Sequence, residues 1–428
     1  MKYAIYDILL HIFVVLFFPW FIFKMITARK YREGIPERFG FISNEKLQKL
    51  KGSAVIWVHA VSVGETKAIL PVLKLFRQKN PDIKILFSTV TQTGNRVAEK
   101  EGAGIIDSLI YFPFDLSWVI RSVARYTNPK AFVVVEKEIW PNAIRILSSS
   151  GIPVIISNGT ISDRSFKRFL KFKFFFGDIF GSISSFCART AEDHKKAMRV
   201  GVKPENAKVV GNLKFEVKPP AVDASYLDAL RKAIGIKPDD KVLVAGSTHA
   251  GEEEIILNAF KELKKEKNDA KLILAPRHPE RFSEVEALIK KSGLSYSKRS
   301  SGGSGEVVML DTVGELMTVF SFASVALVGG SLVPGIGGHN LLEPAFFGKP
   351  VIYGKHLTTY MNMAQMLEAE GGGIRVADQF ELAAALKSLF SDEAVMVKKG
   401  ASAKAVVEAN RGAAIKTVEV IEKQLRKG

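Results

Sequence analysis

The sequence predicts an α/β protein made of two doubly wound parallel sheets facing a common cleft, preceded by an apolar N-terminal helix. Three observations carry this expectation. From Ser53 onward, short β-branched runs alternate with helical stretches, the pattern of parallel strands covered by helices. The alternation breaks near Lys214 to Asp223, where KFEVKPPAVD has two prolines and no apolar periodicity, and then resumes. Finally, 428 residues, 47% of them hydrophobic, are too many for one ordinary α/β unit and enough for two cores.

The first element is the segment Ile8 to Phe23, ILLHIFVVLFFPWFIF, which carries no formal charge. With Met25 and Ile26 beyond Lys24, it lies at the short end of the roughly 17–25 apolar residues that a membrane span needs. The stretch ahead of it offers only Lys2 as a basic residue and is interrupted by Asp7, and no small-x-small site precedes Arg29. Residues 1–28 therefore read as an uncleaved anchor rather than a signal peptide. The segment could span the bilayer or lie in its interface. Lys24, Arg29, Lys30 and Arg32 follow, which places the body of the protein on the cytoplasmic side.

The first domain is expected over residues 29–215, with strands at 54–59, 83–89, 108–112, 131–136, 153–157 and 207–211. A linker covers 216–225. The second domain, 226–405, has strands expected at 241–247, 271–276, 306–310, 325–330 and 350–354, and KRSSGGSG (298–305) reads as a solvated connector. Residues 406–428 form a C-terminal helix that could pack back on the first domain.

Charge and cysteine content narrow the function classes. The excess of Lys+Arg 61 over Asp+Glu 44, a net +17, attracts polyanions: nucleic acid, anionic lipid or phosphorylated substrates. Zinc-finger spacing and aromatic RNA-reading motifs are absent, which argues against nucleic acid. The single cysteine, Cys187, excludes an intrachain disulfide and a thiolate zinc site. SFKRFLKFKFFFG (165–177) interleaves Lys167, Arg168, Lys171 and Lys173 with Phe and Leu, a composition suited to an anionic bilayer or to a packed amphipathic helix.

In doubly wound sheets, ligands bind beyond the carboxyl ends of the strands, so the residues just after each strand are the site candidates. VALVGGSLVPGIGGHNLLEP (325–344) runs from a strand through a glycine-rich loop into a helix starting near Asn340; the loop suits close approach to a nucleotide, and Glu343 suits ribose hydroxyls. Equally, it could be a tight turn with an acid at a helix start. Arg277 follows a strand, where it can meet a phosphate; His278 beside it is either a ligand contact or a turn residue. Gly314, in DTVGEL, lies where backbone could touch a base. In the first half, WVHAVSVGET (57–66) has Ser62, Gly64 and Glu65 in a strand-to-helix turn. EKEIWPN (136–142) sets Glu136 and Glu138 at a strand tip, either for acid–base work or paired with Lys137 or Lys214. Lys214, near the linker, suits a departing phosphate. Glu37, in PERFG (36–40), lies close after the anchor, and spacing alone makes it a surface acid neutralised by Arg38.

These motifs together, PERFG (36–40), WVHAVSVGET (57–66), EKEIWPN (136–142), GNLKFE (211–216), PRHPERF (276–282), DTVGEL (311–316) and GGHNLLEP (337–344), closely resemble the Kdo (3-deoxy-D-manno-octulosonic acid) transferases of Gram-negative bacteria over nearly the whole chain. The resemblance implies the GT-B fold with two Rossmann-like domains, CMP-Kdo as donor substrate, a lipid A precursor as acceptor, and inverting transfer at the cytoplasmic face of the inner membrane. It also implies roles: Glu37 as general base, Glu136 and Lys214 as transition-state stabilisers, and CMP contacts from Pro276 and Arg277, from Gly314, Glu315 and Leu316, and from Asn340, Leu341, Leu342 and Glu343. No cofactor or metal is expected, because cationic side chains and helix N-termini can stabilise departing CMP and no compact ligand set is present. Two other readings stay open: a different membrane-associated GT-B transferase acting on a lipid-linked sugar, and a non-catalytic basic protein tethered to a membrane.

Overall fold

The computed structural model of the chain describes residues 1–27, 33–216 and 223–427, with side chains described for 1–17, 33–216 and 223–427. The chain forms two compact units: Met1–Val217 with Asn410–Gly428, and Lys218–Ala409.

The first unit is a parallel sheet of seven strands: β1 (Val55–His59), β2 (Lys84–Thr89), β3 (Ser108–Tyr111), β4 (Pro129–Val135), β5 (Val154–Gly159), β6 (Ser185–Ala188) and β7 (Ala207–Val209). Their order is β3-β2-β1-β4-β5-β6-β7. Successive side chains of a strand point to opposite faces. Val55 and Trp57 of β1 thus join Phe132 and Val134 of β4 in one core, while Ile56 and Val58 join Val133 and Ile155 in the other. Cover on both faces explains the unbroken apolar runs in the sequence.

The C-terminal helix, Ala413–Leu425, belongs to this unit. Its Ala413, Ala414, Val418 and Ile421 enter the second core beside Ile69, Val72 and Phe76 of the helix Val63–Lys79. Glu216 accepts the backbone N–H of Gly412 at 2.6 Å, and Asn80 donates to Glu422 at 2.9 Å. Residue 406, where the sequence suggested that a C-terminal helix begins, instead lies inside the preceding helix Glu393–Ala409.

The N-terminal helix, Lys2–Thr27, is pinned to the same unit by polar groups. Lys2 pairs with Asp178 at 2.6 Å, Tyr6 donates to Asp115 at 3.4 Å, and Asp7 accepts from Ser117 Oγ at 2.7 Å and Asn142 Nδ2 at 2.9 Å. Ile5, Ile8, Leu9, Ile12, Phe13, Val15, Leu16 and Phe17 are exposed. Among the described residues, no helix is long and apolar enough to cross a membrane. Arg29, Lys30 and Arg32, and the side chains of the expected anchor from residue 18 onward, lie outside the described residues.

The second unit is also a seven-stranded parallel sheet: β8 (Val242–Thr248), β9 (Lys271–Pro276), β10 (Tyr296–Lys298), β11 (Val307–Met309), β12 (Val325–Val328), β13 (Val351–Gly354) and β14 (Gly373–Val376). The order is β10-β11-β9-β8-β12-β13-β14. Leu243, Leu272, Leu274, Leu327 and Ile352 centre its core. The connector at 298–305 is more structured than its composition suggests: Lys298 closes β10 and bridges to Gly302, and Ser300 N–H donates to Asp311 at 2.8 Å. The start of the expected linker differs as well, since Leu213–Glu216 forms a 3-10 turn; residues 217–222 lie outside the described residues. Strand order reverses between β1 and β4 in one sheet and between β8 and β12 in the other, and such switch points are where open α/β sheets bind ligands.

Candidate active site

At the switch point of the first sheet, β4 runs into Glu136 with φ 64, and Asn158 near the end of β5 has φ 54. Left-handed conformation at a non-glycine residue costs roughly 1–3 kcal/mol, so neighbouring contacts must hold it. Asn158 supplies them from both ends of its amide. Its Nδ2 donates to Glu136 Oε1 at 3.3 Å, and its Oδ1 accepts the N–H of Leu213 at 3.0 Å. Leu213 opens the turn that carries Lys214, so one asparagine gathers Glu136 and Lys214 at the same strand ends. Arg189, after β6, adds a cation 3.9 Å from Glu136 Oε1. Burial lowers the proton affinity of Lys214, and the nearby Glu136 carboxylate opposes that shift. The partners of Glu136 are thus Asn158 and Arg189 as well as the Lys214 field.

Glu65 shares this switch point. It lies in the first turn of the helix Val63–Lys79, three residues after its N-cap Ser62, the spacing of a capping box. Its Oε2 accepts the N–H of Val61 at 2.7 Å, and Ser62 Oγ donates to Oε1 at 3.2 Å. Burial pushes its carboxyl up to about 7; the Val61 N–H works against the shift, and the Glu136 and Glu138 charges add to it. Glu138 is also pushed up by burial. His59, ending β1, stacks on Phe112 at 3.8 Å, and burial lowers it to about 3, so it is a neutral packing group under this turn.

Glu37 stands elsewhere. It lies in a single turn of helix, Ile35–Arg38; its Oε1 accepts from Lys46 Nζ and its Oε2 from the Tyr111 N–H at 2.7 Å, leaving the side chain 13% exposed. The partner suggested by the sequence, Arg38, turns away instead: it donates to Val90 O at 2.6 Å and lies over the Tyr111 ring. Lysine reaches Glu37 because the helix Asn44–Gln48 brings Lys46 alongside. Tyr111 ends β3, the edge strand, two spacings or ~10 Å from β1. Glu37 therefore sits at the carboxyl edge of the sheet but is displaced from the switch point.

In the second unit, Pro276 ends β9 and Arg277 follows it, exposed, its N–H bonded to Thr248 O at 3.0 Å. Gly314 has φ 96, with open space where a Cβ would stand. The Glu315 carboxylate is already engaged by Arg299 at 2.9 Å and by Thr312, so Gly314–Leu316 presents mainly backbone. The helix after the glycine-rich loop starts at Leu342, not Asn340, and has five residues. Asn340 Oδ1 accepts the N–H of Leu342 at 3.2 Å, while Leu341 and Leu342 point into the core. Asn340 and Glu343 are then the polar side chains of that stretch.

The first part of the glycine-rich loop is engaged by the protein itself. Its amides hold the protein's own carboxylate: Gly330, Ser331 and Leu332 N–H donate to the fully buried Glu252 at 2.7, 2.9 and 2.8 Å, and His249 N–H adds a fourth bond at 2.9 Å. A Cβ on Gly329 would stand 2.8 Å from that carboxylate, and one on Gly330 would stand 2.9 Å from the His339 ring. Gly329 and Gly330 serve close approach, to Glu252 and His339. The outcome is a pair of parallel imidazoles at the second switch point: His249 Nε2 lies 2.7 Å from His339 Nε2, with an interplanar angle of 7°. His278 lies edge-on to His249 at 5.3 Å. Sequence reading passed over Asn158, Arg189, His249, Glu252 and His339. For His249 and His339, the usable signal was that each follows a strand in the switch-point pair β8 and β12.

Comparison with known proteins identifies the family. Residues 33–217 match the family described as 3-Deoxy-D-manno-octulosonic-acid transferase (kdotransferase). The chain is 33% identical over 411 residues to the 3-deoxy-D-manno-octulosonic acid transferase of Haemophilus influenzae, covering 94% of each chain. It is 34% identical to the enzyme of that name from Aquifex aeolicus, covering 82% of this chain and 90% of that one. Among solved structures, a glycosyltransferase from Rickettsia africae shares the fold, with a TM-score of 0.61 at 13% identity over 88% of this chain and all of that one. The fold is of the GT-B class, and the chain belongs to the 3-deoxy-D-manno-octulosonic acid (Kdo) transferase family.

Proposed function

We propose that this chain moves Kdo from CMP-Kdo to a lipid A precursor of the lipid IVA type, with inversion, at the cytoplasmic face of the inner membrane. The observation that carries the reading is the Asn158 bracket, which sets Glu136 and Lys214 at the first switch point with Arg189 beside them. In the reaction, an acceptor hydroxyl attacks the anomeric carbon, its proton passes to a carboxylate, and the anomeric C–O bond breaks with its electron pair going to CMP. In the first unit Lys214 is assigned to anionic charge and Glu136 to the positive charge of an oxocarbenium-like centre; in the second unit Arg277 is assigned to the CMP phosphate. The reading assigns this stabilisation to side chains, so activity is expected to survive chelation.

Glu37 is assigned as the base, in line with the family resemblance. Lys46 occupies one of its carboxylate oxygens, and that pair must open to admit the acceptor hydroxyl. A second reading rests on Glu65, which lies at the switch point and has a carboxyl pushed up to about 7, a value well matched to proton abstraction near neutrality.

Membrane association is supported by the exposed apolar face of the N-terminal helix and by the neighbouring helices Asp163–Lys171 and Lys173–Gly181. Lys2 donates to the Phe174 carbonyl at 2.6 Å, and the exposed Phe172 and Phe174 lie among the exposed Lys167, Arg168, Lys171 and Lys173. The donor assignment is tested by protection against proteolysis or heat: CMP should protect and UDP should not. The reverse order would favour a transferase that uses a different nucleotide sugar.

A further inference from the structure

The histidine pair of the second unit has a geometry that constrains its proton content. Two imidazole nitrogens 2.7 Å apart cannot both present lone pairs or both present N–H groups without repulsion; one must donate to the other. The pair is built rather than incidental. Glu252 fixes the His249 backbone and the Gly330–Leu332 loop to one another, and the missing Cβ of Gly330 makes room for the His339 ring. His249 follows β8 and His339 lies in the loop after β12, so the pair stands where a doubly wound sheet takes its ligand.

The charges around it are mostly positive. His249 faces His278, Arg277 and Arg281, with Glu253 as the opposing acid, and His339 faces His249, Arg277 and His278. Glu253 is itself held by Arg281 at 2.8 Å, and Glu252 is engaged by the loop amides. Burial first, with the Arg277 guanidinium adding to it, lowers both histidines, His339 to about 4, so near neutral pH the pair is uncharged. An arriving phosphate would reverse that balance, since an anion beside the pair favours the protonated form.

We propose that His249 and His339 form a proton-sharing pair that receives the phosphate of the nucleotide-activated donor, taking one proton from solvent as the anion arrives. The inference rests on the donor reading above and adds the residues that recognise the phosphate and the protonation change that accompanies it. The imidazolium faces the phosphate while the glycosyl bond breaks, and it returns its proton to solvent when the nucleotide leaves, so no proton is consumed over the cycle.

The test is titration calorimetry of CMP, and separately cytidine, into the intact protein near neutral pH, in buffers of different ionisation enthalpy. CMP binding should take up close to one proton, and cytidine binding close to none. His249→Asn and His339→Asn should each abolish most of the uptake and weaken CMP by roughly tenfold or more, as loss of a charged hydrogen bond does. CMP binding by the unaltered protein without proton uptake overturns the proposal, as does uptake in both variants equal to that of the unaltered protein. The unaltered protein alone decides the matter should a variant fail to fold. Failure of CMP to bind at all would instead overturn the donor reading, and this inference with it.

Discussion

Lys46 donates its ammonium to Oε1 of Glu37, while the end of β3 holds the other oxygen through the Tyr111 N–H. The carboxylate assigned as base is therefore anchored at both oxygens before any acceptor arrives. Glu37→Gln keeps the hydrogen-bonding shape and removes the basicity. CMP affinity should stay unchanged while kcat falls roughly 10²- to 10⁴-fold, the range for loss of a general base. Normal turnover in Glu37→Gln, with a collapse in Glu65→Gln, would transfer the role to Glu65.

Glu65 also sets a pH dependence of stability. Its carboxyl rises from 4.5 to about 7 on folding, chiefly through burial, so the folded state holds the proton over a range where the unfolded chain has released it. Its contribution is most favourable below the unfolded value and declines as pH climbs through that window, by up to ~3 kcal/mol at the top. Glu65→Gln removes the titration. Thermal melts should show the variant gaining on the parent protein as pH rises from below 4.5 to above 7. A constant difference across the window would contradict the burial argument.

Glu252 accepts four backbone N–H groups at the second switch point. Glu252→Ala leaves them buried without an acceptor, and about 3 kcal/mol of stability should be lost, since unsatisfied buried donors cost more than the bonds contributed. Denaturant titration checks this. Glu252→Gln, which keeps one carbonyl acceptor, should lose less; an unchanged midpoint in the alanine variant would mean the loop does not depend on this plug.

The basic and aromatic surface of the helices Asp163–Lys171 and Lys173–Gly181 carries a prediction of its own. Reversing Lys167, Arg168, Lys171 and Lys173 to glutamate should weaken binding to anionic vesicles, at roughly 1 kcal/mol or more per residue. Vesicle co-sedimentation at fixed ionic strength measures it. Partitioning that does not change would remove this surface from the membrane contact.

Legibility in the sequence followed burial. The central strands, such as Val55–His59 and Val242–Thr248, are apolar on both faces and stand out as continuous runs. Tyr296–Lys298 and Gly373–Val376 passed unnoticed because they are short edge strands with polar or basic members. Ser185–Ala188 was missed as a four-residue strand with no β-branched run. Within the site, Glu136 and Lys214 could be named from motifs, but the asparagine that joins them could not, because its role depends on two tertiary hydrogen bonds. The buried carboxylate under the glycine-rich loop was illegible for the same reason. Glycine reports close approach without saying of what, and Glu252 lies far from the loop in sequence.

The most direct test is to incubate purified protein with CMP-Kdo and a lipid A precursor and weigh the lipid product by mass spectrometry. The account predicts a product heavier by a Kdo residue, with CMP released in step, and loss of that product in Glu37→Gln or Lys214→Ala. An acceptor that gains no Kdo under these conditions, yet gains a hexosamine from a UDP-activated donor, would contradict it.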